Sequence, residues 1–462
     1  MEKRLTVWMA LLPVIVLIAA GAGSIFVWKV GMHVPLLAGM VMAAVVALMA
    51  GWKWNAIQQM MVNGVTRALP AVFILLVIGI IIGTWIAGGV IPTMIYYGLK
   101  FIHPDFFVPA VAIVTGLVSI TLGSSFTSIA TVGLAFMVIG EGLGFPPGLV
   151  AGAIISGAFF GDKLSPLSDT TNIAPAVAET DLFSHVKHML WDTLPAFFIA
   201  LVLYAVIGHT SVIQGADQSS IIALMDGLQS IFIIHPLLLL MPVLTIVLII
   251  KRTPALPALL GVAIIGAVLA IVVQGETVTS VMQFMTSGYQ VESGVEAVDK
   301  LLNKGGMVSM YGTIVLLVLA TGLGGIMEET GAFQVLTRRM LERVKSTGSL
   351  IMLTIVSTFA VAFSTGAQFL AIILPARTFV HKYKELQIDT KNLSRCVEAA
   401  GTVGINLVPW GVPAVFAASV LEVDPMAFIP YTFLAFLVPL MNVLYGYTGW
   451  TIVKKSDRRL VK

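Results

Sequence analysis

The chain has 462 residues, of which 58% are apolar and only 11% charged, whereas a water-soluble domain carries about a quarter charged residues. A mean hydropathy of +0.99 and recurrent apolar runs long enough to cross a bilayer exclude a soluble enzyme and predict an all-α polytopic membrane protein. The runs are apolar on every face, unlike the alternating strands of a membrane barrel. A single cysteine, Cys396, excludes a disulfide framework and cysteine-ligated zinc. No basic, aromatic-rich segment points to nucleic acid.

The first apolar run follows Lys3-Arg4 and reaches position 27, too long for the core of a cleaved signal, and is read as a retained span. Ten spans are predicted, at 5–27, 35–50, 69–90, 147–178, 191–207, 231–250, 256–273, 308–327, 393–421 and 427–453. Those at 147–178 and 393–421 are interrupted by polar residues, Gly and Pro. Two segments, 107–140 and 350–380, each hold two arms of about 15 apolar residues around a polar tip, and such short arms fit re-entrant hairpins better than full spans. The tips are Gly123-Ser124-Ser125-Phe126-Thr127-Ser128 and Ser364-Thr365-Gly366-Ala367-Gln368.

Charge orients this arrangement. With the N-terminus in the cytoplasm and each hairpin returning to its own side, cytoplasmic segments hold all of the 26 Lys and Arg except Lys29, Lys100, Lys300 and Lys304 outside and Lys163 within the membrane. The reading is a multi-pass protein of the plasma (inner) membrane with both termini cytoplasmic.

An internal repeat emerges from the same map. Gly161-Asp162-Lys163-Leu164-Ser165-Pro166-Leu167-Ser168 aligns with Gly404-Ile405-Asn406-Leu407-Val408-Pro409-Trp410-Gly411, and Glu179-Thr180-Asp181 with Glu422-Val423-Asp424. Upstream, Gly83 and Gly89 match Gly325 and Gly331, and the tips pair Ser124-Ser125 with Ser364-Thr365. Residues 1–210 form the first repeat, 211–230 an external linker, 231–453 the second repeat and 454–462 a basic cytoplasmic tail. Each repeat holds five transmembrane helices, one of them discontinuous, plus one re-entrant hairpin. Five is odd, so the repeats are inverted. That is the layout of a secondary transporter with its site near the midplane.

The stretch GAFFGDKLSPLSDTTNIAPAVAETD at 157–181 carries the chemistry. A charged residue at a helix centre costs about 2.5–3.5 kcal/mol on insertion scales, so Asp162, Lys163 and Asp169 do not face lipid. Oxygen donors from Ser168, Asp169, Thr170, Thr171 and Asn172, with backbone carbonyls freed at the break, suit a hard cation such as Na⁺. One or both of Asp162 and Asp169 are expected to bind Na⁺ and H⁺ competitively, with Lys163 offsetting their charge when the site is empty. Against an enzyme, the zinc-protease pattern His-Glu-x-x-His is absent, and Phe159 stands where an intramembrane aspartyl protease of the Gly-x-Gly-Asp type needs Gly. Gly79/Gly83 and Gly157/Gly161 read as packing surfaces, and Glu328, Glu329 and Glu398 are left without a role.

The run GDKLSPLSDTTNIAPAVAETDLFSHVKHMLWDTLP resembles the signature of the NhaC family of Na⁺/H⁺ antiporters in the ion-transporter superfamily, which includes an exchanger of malate and lactate coupled to Na⁺ and H⁺. The resemblance implies exchange of cytoplasmic Na⁺ for external H⁺, with hairpin tips and broken helices forming the cation sites. Carried over, it points to Ser124, Ser125 and Thr127 with Asp169, Thr170, Thr171 and Asn172. Ser364, Thr365 and Asn406 are the second-repeat candidates, where Ile405 and Val412 replace Asp162 and Asp169. The expected partners are Na⁺, H⁺ and the lipid bilayer, with no cofactor beyond the transported ions; a small organic anion and a homodimer stay open. The rival reading on the same fold is a Na⁺/H⁺-coupled exchanger of organic anions or another metabolite. A cation channel is the rival from another class, disfavoured because its rings of ligands usually surround a subunit axis.

Overall fold

The computed structural model describes residues 5–454 except 29, 102–103, 213–217, 252, 295, 334 and 336–343. Their regular structure is helical, with one isolated antiparallel bridge between Ile388 and Lys454. Among the described residues six helices are long and apolar enough to cross a membrane, or up to nine if each of three sharply bent pairs forms one span. Shorter apolar helices at Val7–Ala22, His33–Met49 and Leu256–Val272 fall on predicted spans. Lys3, Arg4, Arg252, Arg338, Arg339, Arg343 and the tail beyond Lys454 lie outside the described residues.

Three features differ from the sequence reading. The hairpin arms are longer than 15 residues, at 19 and 18 in Pro104–Leu122 and Ser125–Gly142, because their helices run on through polar ends. The second hairpin has arms Thr347–Thr365 and Gln368–Glu385, the latter ending in Lys382, Lys384 and Glu385. The stretch read as an external linker contains the helix Gln218–Ile231, which joins the next span through a 97° bend. An unpredicted helix, Trp54–Thr66, packs on Tyr311–Glu329 so closely that a Cβ on Gly64 would lie 2.1 Å from the Thr321 carbonyl oxygen. Its Asn55, Gln58, Gln59 and Asn63 hid it from a reading based on hydropathy.

Both interrupted helices are broken as expected. The first runs Pro147–Leu164 and restarts at Asp169–Val177. Ser165 ends the first half by donating its N–H to Gly161 and Asp162 carbonyls, and Pro166 prevents continuation. The second runs Thr390–Leu407, restarts at Val412–Leu421 and bends by 45°.

Each hairpin tip seats on the break of its own repeat. Gly123 has φ +66°, and a Cβ there would meet Leu167; Gly366 has φ +63°, and a Cβ would meet the Trp410 carbonyl oxygen. The Ile120 carbonyl accepts from the Ser165 hydroxyl at 2.7 Å, and the Phe363 carbonyl accepts from Trp410 Nε1 at 2.7 Å. Gly123/Gly366, Ile120/Phe363 and Leu167/Trp410 correspond under one sequence offset, whereas the donor Ser165 corresponds to Val408 and not to Trp410. The same offset, to within about one residue, relates the left-handed pairs Gly89/Gly331, Gly144/Gln387 and Glu179/Glu422. It also corrects the pairing of the tips. Gly123 matches Gly366, so Ser124-Ser125 correspond to Ala367-Gln368, and Ser364-Thr365 sit at the end of the ascending arm.

Glycine permits this seating. A Cβ on Gly157 or Gly161 would lie 2.3 Å from the carbonyl oxygen of Ala112 or Gly116 on the hairpin arm, while Gly261 has nothing within 4 Å. Gly161→Ala should therefore destabilise the fold by about 1–3 kcal/mol through overpacking, and Gly261→Ala should be neutral or slightly stabilising. Thermal unfolding of both variants in one detergent checks this; equal midpoints would contradict the close approach.

Candidate ion-binding site

The tip of the first hairpin and the first break form a buried polar junction. Ser124 caps the short helix after the tip, accepting from the Thr127 backbone N–H at 3.3 Å and from its hydroxyl at 3.0 Å. The next residue, Ser125, donates its hydroxyl to Asp162 Oδ2 at 2.7 Å. Both Ser125 and Asp162 are buried. Directly after the tip, Ile129–Gly133 forms a π-helical turn, a local irregularity common at functional sites.

The break supplies the rest. Ser168 is buried beside Asp162, its hydroxyl 3.1 Å from that of Thr170. Asp169 opens the second half-helix, where a carboxylate is favoured by the helix dipole, and it is exposed, as is Asn172. Thr171 donates to the carbonyls of Asp162 and Lys163, each at 3.1 Å, and Asn172 to those of Pro166 and Ser168 at 2.8 and 2.7 Å. Thr171 and Asn172 thus hold the broken backbone in shape; the Asp162 and Ser168 carbonyls also accept from the Ser165 and Asn172 backbone N–H groups, while those of Lys163 and Pro166 keep a second lone pair for a ligand. The junction brings Ser125, Asp162 and Ser168 together, with Asp169 and Asn172 at its accessible edge.

Lys163 behaves differently from expectation. Its ammonium pairs with Asp192 Oδ2 at 2.8 Å, both side chains fully buried, rather than with Asp162 or Asp169. Consecutive residues of a helix point about 100° apart, so Lys163 turns away from Asp162 towards the long helix Leu182–Val212. The pair extends into a chain. Asn442 donates to Asp192 Oδ2 at 2.6 Å and accepts from Arg395 Nε at 2.9 Å. Asp192 and Asn442 were missed because each sits in a largely apolar run, and Arg395 because the charge map counted it with the cytoplasmic basic residues.

In the second repeat, Ser364 and Thr365 donate to carbonyls of their own helix at 2.6 and 2.8 Å. Asn406 donates to the Val403 carbonyl at 3.0 Å, and its Oδ1 has no hydrogen-bond partner among the described residues. The same holds for Gln368 Nε2, Thr402 Oγ1 and both carboxylate oxygens of Glu398. Glu398, Thr402 and Asn406 recur at i, i+4 and i+8 on one helical face, a spacing that marks this stripe in the sequence.

Helices broken at matching points around buried charge define an ion-coupled membrane transporter. The chain belongs to the Na⁺/H⁺ antiporter family, whose sequence pattern matches residues 4–166 and 157–450. It is 39% identical over 458 residues to the Na(+)/H(+) antiporter NhaC of Alkalihalophilus pseudofirmus, covering 99% of both chains. It is 36% identical to the malate-2H(+)/Na(+)-lactate antiporter of Bacillus subtilis, covering 88% of this chain and 87% of that one. To the arginine/ornithine antiporter ArcD of Halobacterium salinarum it is 35% identical, covering 98% and 94%. The resemblance read from the sequence is borne out.

The Lys163–Asp192 pair makes a stability prediction. Asp192→Asn leaves a buried ammonium without its counter-charge and should cost about 3–5 kcal/mol, whereas replacing both residues with apolar ones should recover most of that. Arg67, half exposed where it pairs with Glu328, should lose at most about 1 kcal/mol on change to Ala. Thermal unfolding of the purified variants separates the two; equal losses would contradict the buried pair.

Proposed function

We propose that the protein is a secondary antiporter that exchanges Na⁺ for H⁺ across the plasma membrane by alternating access, with Na⁺ held at Asp162 and the binding of the two ions mutually exclusive. The observation that carries this reading is Asp162 itself: a buried carboxyl at the meeting point of a hairpin tip and a helix break, held by the Ser125 hydroxyl. Around it lie the neutral oxygens a hard monovalent cation prefers. Asp169, exposed at the edge, draws cations in. Antiport follows because a site that is costly to leave charged and empty returns across the membrane only when loaded.

The inverted arrangement supports alternating access. Glu179 pairs with Lys384 at one end of the molecule. At the matching positions, Glu422 and Glu141 share Lys304, at 3.6 and 2.9 Å. Each set ties the foot of a broken helix to the other repeat. On the inverted-repeat reading the sets lie at opposite membrane faces, Lys384 with the cytoplasmic basic residues and Lys304 outside, where they serve as latches for the two half-cycles. Both termini then lie in the cytoplasm.

An organic co-substrate is the second reading, favoured by the malate/lactate and arginine/ornithine relatives. A cavity of about 410 Å³ lined by Gln290, Asn303, Lys304, Ser309, Ser419 and Glu422 offers space for one. Lys304, the cation in it, is already shared by two carboxylates, and an anion would have to displace them. Exchange of cations alone is therefore preferred.

Proteoliposome flux tests this. A Na⁺ gradient alone should drive H⁺ movement, Asp162→Asn should reduce it at least about 100-fold, and Asp169→Asn should weaken apparent Na⁺ affinity while leaving exchange intact. Flux that begins only when malate, lactate or arginine is added would replace this reading with the second. Cysteine at Glu292 should be labelled from outside cells and cysteine at Ser346 should not; the reverse would invert the topology.

A further inference from the structure

Glu398 is the one fully buried carboxyl among the described residues with no hydrogen bond to either oxygen and no ion pair within reach. It sits where Thr390–Glu398 passes into the π-helical turn Ala399–Val403, with the Thr402 and Thr170 hydroxyls as neighbours. Asp162 and Lys163 act on it electrostatically from the first broken helix. It is thus a side chain of the second repeat that faces the cation junction of the first.

A charge count shows what it can do. Leaving aside Asp389, which caps a helix at the proposed cytoplasmic end, the buried charged groups among the described residues are Lys163, Arg395, Asp192, Asp162 and Glu398. The other titratable groups packed around Glu398 are counted as neutral: His185 and His188 hydrogen-bond the uncharged Ser394 and Asn392 and have no carboxylate partner among the described residues, and Tyr383 and Cys396 are buried. Asp169 is exposed and screened by water. Two cations and three acids leave one negative charge in excess. Each uncompensated buried charge costs several kcal/mol, so the cluster is neutral only when one of Asp162 and Glu398, and not both, is neutralised.

The two acids differ in what can neutralise them. Na⁺ needs several oxygens at once, and Asp162 has Ser125, Ser168 and the carbonyls of the break. A proton needs one oxygen, and Glu398, beside the Thr402 and Thr170 hydroxyls but with no hydrogen bond made to either of its own oxygens, can supply it. We propose that Glu398 is the proton-carrying carboxyl of the exchange, and that Na⁺ at Asp162 and H⁺ at Glu398 exclude one another through charge rather than through a shared carboxylate. When Na⁺ leaves water for Asp162, the Glu398 O–H bond breaks, the carboxylate keeps the electron pair and the proton passes to water. This rests on the Na⁺/H⁺ exchange reading above and names the group behind its mutual exclusion.

The test measures Na⁺ binding and the proton release that accompanies it on purified, weakly buffered protein at several pH values. Wild type should bind Na⁺ more tightly as pH rises, up to about tenfold per unit for each proton displaced, and release protons when Na⁺ is added. Glu398→Gln, which imitates a permanently protonated carboxyl, should bind Na⁺ weakly at every pH, changing less than about twofold per unit, with proton release reduced at least about fivefold. Glu398→Asp should restore both, with a displaced pH midpoint; it also decides the matter if the Gln variant fails to fold. Unchanged pH dependence and proton release in Glu398→Gln, or in Glu398→Asp an unchanged midpoint, would overturn the proposal while the exchange reading stands. A wild type that binds Na⁺ with no pH dependence and no proton release would overturn both.

Discussion

A charge taken out of water into the middle of a bilayer must be matched there, and this constraint shapes the centre of the molecule. Lys163 and Asp192 are both fully buried and answer each other at 2.8 Å. Asn442 extends that pair to Arg395. Asp162 and Glu398 are left with no cationic partner at bonding distance. Such a pair of carboxyls is poorly suited to holding a fold together, because an uncompensated buried charge destabilises it. It suits a site whose counter-charges come and go.

Access to that site depends on breaking the backbone in the membrane without leaving it unsatisfied, which irregular segments survive only inside protein or beside a wet cavity. The structure meets the condition twice with the same device. A hairpin tip turning on a left-handed glycine presses against a Pro-containing break; a hydroxyl and an indole from the breaks cap carbonyls at the ends of the hairpin arms, and hydroxyl and amide donors cap the carbonyls the first break frees. Contact between the repeats is direct as well: Phe126 beside the first tip stacks on Phe416 of the second broken helix, with ring centroids 4.5 Å apart. Movement of one repeat is therefore felt at the other's site.

The sequence makes the punctuation of the fold visible and its partnerships less so. Gly, Pro and clustered hydroxyls against an apolar background mark both tips and both breaks, because nothing else explains polar residues at that depth. The packing glycines Gly157 and Gly161 were legible from spacing alone. Lys163 shows the limit: the sequence places it beside Asp162, but helical geometry turns it to Asp192, a residue on another helix that no local pattern ties to it. Trp54–Thr66 was hidden by its polar side chains, while its packing on Tyr311–Glu329 is made by buried Ile57, Met60 and Gly64, with Gly64 and Gly325 meeting backbone. Glu398 stood in plain view near the start of a predicted span, and its meaning came only from the orphaned oxygens and the stripe with Thr402 and Asn406.

The central claim is that the transported cation sits where the first hairpin tip meets the first break. The most direct measurement is the anomalous diffraction of crystals in which Tl⁺, a heavy monovalent cation, replaces Na⁺. The account predicts a peak within coordination distance of Asp162 and Ser125 that Na⁺ competes away and that disappears in Asp162→Asn. A peak confined to the cavity beside Lys304, or one that persists unchanged without the Asp162 carboxylate, would contradict it.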